Sequence, residues 1–406
     1  MPFDLERVRA DFPILAEEIH GHRLVYLDSG ASAQKPEAVL AKMDWVHRHA
    51  YANVHRGLHT LANRATEAYE DARKTVSRFI NAARPEEIVF TRNATEAMNL
   101  VASSFAGPRI QAGDEIVLTV MEHHSNIVPW HFHRERKGAV LKWVDVGDDG
   151  TLDLEALERA IGPKTKMVAV THMSNVLGTV NPIARIIEIA HARGVPVLID
   201  GSQGAVHETV DVQALGADFY AFTGHKLYGP TGIGVLYGRY DLLEAMQPYQ
   251  GGGEMIDVVT EDEVTYNNPP HRFEAGTPPI VQAIGLGAAI DYVEGLGREA
   301  IAAHEHEVAG YAAERLKRIN SLRLIGDAPG RGGIFAFELK GAHAHDVSTI
   351  LDRYGIAIRA GTHCALPLLT RFGVTSTCRA SLALYSGKDD VDALVEGIEK
   401  AQKFFA

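Results

Sequence analysis

Asp200 closes the apolar run "VPVLID", and twenty-six residues later Lys226 stands in "TGHKLYGPTG", just past a second apolar run. A lysine placed where a buried strand enters a Gly- and Pro-rich turn is held still and partly dried. Desolvation disfavours its ammonium form, so the amine becomes a candidate for Schiff-base chemistry. An aspartate ending a strand of Val, Leu and Ile is itself partly desolvated and wants a cationic partner. Gln203, three residues on, can project toward the same side. Plainer roles exist for both charged residues: Asp200 capping the next helix, and Lys226 snorkelling to solvent. The rigid frame of Gly224 and Gly229-Pro230 argues against the second.

Other candidates also follow apolar runs. His123 comes after "EIVLTV", where a flat ring could stack on an aromatic cofactor or shuttle protons. Asn93-Ala94-Thr95-Glu96 reads as a turn opening a helix, whose backbone N–H groups and Thr95 hydroxyl suit a phosphate. An ordinary helix cap explains that turn equally well. Thr223 and His225 flank Lys226 and could hold a phosphate too. His131 and His133 alternate with Phe132, without a carboxylate or cysteine at familiar ligand spacing, so no metal site is expected. None of these decides alone. Together, a phosphate turn, a stacking histidine, a strand-end aspartate and a strand-end lysine supply what pyridoxal 5'-phosphate needs. The amine takes the aldehyde, and the carboxylate keeps the ring nitrogen protonated.

Two cysteines occur in 406 residues, which excludes a structural disulfide framework and fits a reducing compartment. Cys364 sits in "RAGTHCALPLL", where a loop is expected. Cys378 lies in the alternating run "TCRASLALY" and reads as a small buried hydrophobe.

These side chains need elements to carry them. "EIVFT", "EIVLTV", "KMVAVTHM" and "VPVLID" read as buried strands, with "LDLEALERAI" and "PIARIIEIAHARG" as helices between them. That alternation predicts an α/β fold with a mainly parallel sheet covered on both faces. Ligands then sit beyond the carboxyl ends of the strands. A long helix over roughly 280–320 is expected to lead into alternating runs, "GGIFAFEL", "GIAIRAG" and "CRASLALY", and a C-terminal helix. The organisation read from this is an N-terminal segment 1–24 packing with the small domain, a large cofactor domain 25–295, and a smaller α+β domain 296–406 carrying Cys364.

At 46% hydrophobic content the chain can bury a large core, and its net charge of −12 argues against nucleic acid or an anionic membrane surface as main partner. The opening "MPFDLERVRADFPILAEE" lacks the apolar core of a signal peptide. No eighteen apolar residues run together, so no membrane helix is expected. A cytoplasmic location follows as the expectation.

The order of "NATEA", "EHHSN", "DGSQ" and "TGHKLYGPTG" resembles the fold-type-I pyridoxal-phosphate enzymes. With "RAGTHCA" and "CRASLALY" added, the whole chain is similar to the cysteine desulfurases, specifically their group II, SufS-like branch in the aminotransferase class V family. The resemblance implies a large domain with a seven-stranded-type sheet and a smaller C-terminal domain. It implies that Lys226 binds the cofactor covalently, Asp200 pairs with the ring nitrogen, Gln203 meets the phenolic oxygen, and His123 stacks and moves protons. Ala94, Thr95, Thr223 and His225 would line the phosphate, joined by Thr277 from the neighbouring subunit of a homodimer. Arg379 and Asn175 would hold the substrate amino acid, with Arg359 and His55 as further candidates.

The implied reaction converts L-cysteine to L-alanine, with a persulfide forming on Cys364, whose thiolate the adjacent His363 could favour. The sulfur would pass to a SufE- or SufU-like acceptor protein for iron–sulfur cluster assembly. Selenocysteine lyase or a related lyase is the alternative. Ala360 and Thr362 depart from the family's usual "RTGHHCA", and Thr223 replaces a common serine while keeping the hydroxyl.

Overall fold

The computed structural model describes residues 3–405. Seven strands form the large sheet: β1 (Ile88–Thr91), β2 (Glu115–Thr119), β3 (Val140–Val144), β4 (Thr165–Thr171), β5 (Val197–Asp200), β6 (Phe219–Thr223) and β7 (Gly234–Gly238). Their spatial order is β1-β7-β6-β5-β4-β2-β3. β7 runs antiparallel to both neighbours, and every other pairing is parallel.

Side chains alternate across this sheet and build a core on each face. On β4, Val168 and Val170 join one core while Met167 and Ala169 join the other. On β6, Tyr220 and Phe222 oppose Phe219 and Ala221 in the same way. Burial on both faces explains why these strands read as unbroken apolar runs. β3 escaped the sequence reading because it is the edge strand, and only Val144 in "VLKWV" is buried.

Helix α1 (Thr60–Phe79) covers one face together with α3 (Ile280–Leu296), and α2 (Ala94–Leu100) packs on the other. A buried ion pair ties these parts together. Arg73 of α1 donates from Nη1 and Nη2 to Glu274 Oε1 at 2.6 Å and Oε2 at 2.9 Å. Glu274 also accepts from the Phe90 amide of β1 at 2.7 Å. Removing Glu274 leaves the buried Arg73 with only the partly exposed Glu70 as its acidic partner and the Phe90 amide without its acceptor, so Glu274→Ala is expected to destabilise the protein by about 3 kcal/mol in denaturant titrations.

The expected single helix over 280–320 is two helices, α3 and α4 (Arg298–Lys317). Gly297 separates them at φ +87°, a conformation an L side chain adopts only under strain. The small domain's sheet contains β8 (Leu322–Ile325), β9 (Ile334–Leu339), β10 (Arg359–Gly361) and β11 (Thr377–Ser381). Its order is β8-β9-β11-β10, antiparallel throughout. Val25–Tyr26 pairs in parallel with Ile356–Ala357, and Val25 and Leu27 belong to the small domain's core. Among the described residues no helix is long and apolar enough to cross a membrane.

Candidate active site

The carboxyl ends of the central strands and the loop after β10 enclose a cavity of about 200 Å³. Twelve of the fourteen residues singled out in the sequence line it; Thr277 and His55 do not. Thr277 lies exposed before α3, and His55 lies exposed in the loop before α1.

β6 delivers Lys226 through a single short helical turn, Gly224–Lys226. Burial lowers the amine to about 8; Arg379 and Arg359 add to the effect, and Asp200 opposes it. Asp200 ends the neighbouring strand β5, is 3% exposed, and takes the Ser202 N–H on Oδ1 at 2.9 Å. Burial raises its carboxyl, with Ser202 and Lys226 working against the shift. Gln203 reaches back across the chain, donating from Nε2 to the Gly30 carbonyl at 2.8 Å.

His123 opens the turn after β2 and accepts the Ser125 N–H on Nδ1 at 3.1 Å. The ring's proton therefore sits on Nε2. Burial, then the charge of Lys226, hold this histidine down at about 3, so a neutral ring faces the cavity. Beneath it Glu122 is fully buried, accepting from Thr119 Oγ1 and Asn126 Nδ2, each at 2.7 Å. Burial still pushes the Glu122 carboxyl from 4.5 up to about 8. A raised acid favours the fold while protonated, so its contribution is complete below pH 4.5 and is lost as pH climbs toward 8. Glu122→Gln is expected to flatten this alkaline fall in Tm and to be the more stable protein above pH 8, by on the order of 2 kcal/mol.

The phosphate candidates gather at the start of α2. Asn93 caps it, accepting the Glu96 N–H at 2.9 Å, while Ala94 and Thr95 face the cavity. This turn sits directly on β7: a Cβ at Gly234 would lie 2.3 Å from the Asn93 carbonyl carbon. Thr223 and His225 complete the same end of the cavity, and burial lowers His225 to about 4.

Arg379 of β11 is 2% exposed. Its Nη1 donates to the Asn175 carbonyl and its Nη2 to Asp28 Oδ1, both at 3.0 Å, and its Nε has no partner among the described residues. Asn175 in turn donates to the His363 carbonyl at 2.8 Å, and the His124 N–H donates to the Cys364 carbonyl at 2.7 Å. These bonds hold His363 and Cys364 in consecutive left-handed conformations, φ +51° and +56°. Strain of this kind persists only where the surroundings over-determine it, and here it leaves Cys364 exposed at the cavity.

His363 does not serve as the charged neighbour the sequence suggested. Its Nε2 lies 3.1 Å from the Thr377 carbonyl, which can only accept, and burial holds the ring down at about 3. The sequence reading also missed Asp28 and Gly30, which reach the site only through contacts made across more than 170 residues. The turn "LDSGAS" was the one local signal for them.

An anionic aromatic aldehyde fits these residues. A desolvated amine stands against a desolvated carboxylate, a neutral ring faces the gap, and the first turn of a helix waits at the far end. Fold and site together define a pyridoxal-phosphate enzyme of fold type I. A family model described as aminotransferase class-V matches residues 25–394, and the chain belongs to that family.

A cysteine desulfurase of Dickeya dadantii (strain 3937) is 54% identical over 402 residues, covering 99% of this chain and 97% of that one. The solved structure of the cysteine desulfurase CsdA (S-sulfonic acid) from Escherichia coli matches with a TM-score of 0.93 and 42% identity, over 100% of both chains. The apo structure of a cysteine desulfurase from Thermococcus onnurineus NA1 gives a TM-score of 0.94 and 39% identity, over 100% of this chain and 99% of that one.

Proposed function

We propose that the chain is a group II cysteine desulfurase. It takes L-cysteine, releases L-alanine and passes the sulfur to an acceptor. The observation that carries this reading is one cavity lined by Lys226, Arg379 and Cys364: an amine, a carboxylate grip and a thiol.

Lys226, Asp200, Gln203 and His123 hold the cofactor's ring, and Ala94, Thr95, Thr223 and His225 hold its phosphate, with Thr277 contributed by the partner of a homodimer. Bound pyridoxal phosphate supplies an electron sink beside the substrate's α-carbon. Arg379 grips the substrate carboxylate, and its free Nε–H gives it a donor to spare. Asn175 and Arg359 flank that grip. Lys226, which burial brings down to about 8, takes the α-proton at Nζ. The Cys364 thiolate attacks the substrate sulfur. The C–S bond breaks and a new S–S bond forms; the substrate thiol's proton ends on the β-carbon, the α-proton returns from Lys226 to the α-carbon, and alanine leaves a persulfide on the protein. Asn175 and His124 keep the attacking sulfur aimed at the cavity by fixing its loop.

The short segment between Gly361 and Leu369 limits how far Cys364 can travel, so the acceptor, a SufE- or SufU-like protein, docks at the cavity mouth. Iron–sulfur cluster assembly in the cytoplasm is the destination this reading assigns to the sulfur. The test is turnover of L-cysteine with a thiol reductant, which should yield alanine and sulfide in equal amounts. Sulfide without alanine would identify a different lyase.

A further inference from the structure

Outside the cleft, His55, Glu70 of α1, and His271 of the turn before α3 converge from three separate segments. One ligand atom from each lies within 4.8 Å of the other two. His55 Nε2 is 2.9 Å from Glu70 Oε1, and the His55 and His271 ring centroids are 4.9 Å apart. Zinc-class ions bind nitrogen and oxygen at about 2.0–2.2 Å, which places neighbouring ligands roughly 3.0–3.5 Å from each other. The His55–Glu70 pair, at 2.9 Å, lies just under that spacing, and the His271 ligand atom has to close in from within 4.8 Å.

The surroundings orient these ligands. Arg73 grips Glu70 with two donors, Nε to Oε2 at 2.9 Å and Nη2 to Oε1 at 3.3 Å, and Oε1 also faces His55 Nε2 at 2.9 Å. The His55 amide donates to Thr66 Oγ1 at 2.8 Å, fixing its backbone. His55 Nδ1 faces Glu254 Oε2 at 4.0 Å, so a small adjustment lets Glu254 accept the Nδ1–H of a histidine that ligates through Nε2. Charge points the same way. Glu70, Glu254 and Glu274 bring three carboxylates against the two guanidinium groups of Arg56 and Arg73.

We propose that His55, Glu70 and His271 form a binding site for a divalent first-row transition ion of the zinc class. Two imidazoles and one carboxylate favour zinc, cobalt or nickel over magnesium or calcium, and three protein ligands leave a position for water. A bound ion ties the loop before α1 to the segment that carries Thr277.

The test is a calorimetric titration of Zn²⁺ and Co²⁺ into the Cys364→Ser holoenzyme, in which the exposed competing thiol is gone. One ion per chain is expected, with affinity reduced at least about tenfold by His271→Ala or His55→Ala while the cofactor's visible band is unchanged. His271→Gln replaces His271→Ala should the latter fail to fold. Undiminished binding in both histidine variants overturns the site. So does the absence of binding to the Cys364→Ser protein at about 1 mM metal.

Discussion

Cys364→Ala is expected to keep the yellow holoenzyme intact and to lower production of alanine and sulfide from L-cysteine by at least about 10³-fold. The reason lies in how the two cysteines are held. Cys364 is exposed at the cavity, in a strained turn pinned by Asn175 and His124. Cys378 is 1% exposed on β11, and burial pushes its thiol up to about 12, so it offers no thiolate near neutral pH. It cannot stand in for the missing nucleophile. Because Cys364 is carried by the loop after β10, on a different element from Asp200 of β5 and the α2 turn, its removal should leave those groups in place. The measurement is a pair: the visible spectrum, and alanine with sulfide in the presence of a reductant. Undiminished sulfide release from the variant would mean that Cys364 is not the attacking sulfur.

The strands that carry the site were legible because burial on both faces leaves an unbroken apolar signature, and their polar ends stand out against it. Asp200 and Lys226 are conspicuous for that reason: one terminates "VLI" and the other stands three residues past "YAFT". The Asn93 turn was readable from its capping chemistry. What escaped has a common physical character. Arg379 meets Asp28 across 351 residues and Gln203 meets Gly30 across 173, contacts that no local periodicity encodes. β3 alternates weakly because an edge strand faces solvent, and Gly297 looks like any other glycine until its left-handed backbone splits one expected helix into two. His363 was misread because adjacency to Cys364 says nothing about ring direction; the ring turns away to Thr377 and stays uncharged. His55 and Thr277 fall outside the cleft, since sequence order does not tell how far a loop folds from it.

Lys226→Ala is expected to abolish covalent retention of pyridoxal phosphate and to reduce turnover by at least about 10⁴-fold. The effect should exceed that of losing a proton-transfer group, because in the proposed mechanism the same nitrogen would both tether the cofactor and move the α-proton. The structure makes this amine fit for the task and gives it no substitute. Burial brings it down to about 8, while Asp200 prevents a further fall, so a modest rise in pH frees the lone pair. Lys35, a half-buried lysine in the same region, is engaged with the Ala33 carbonyl and does not line the cavity. Lys226→Arg should fail as completely, since a guanidinium stays protonated and cannot form the bond. Borohydride reduction of the native holoenzyme followed by peptide mass mapping should find the pyridoxyl group on Lys226 and on no other lysine. A label on a different peptide, or a Lys226→Ala protein that still retains the cofactor covalently, would remove the amine from the centre of the site and the desulfurase reading with it.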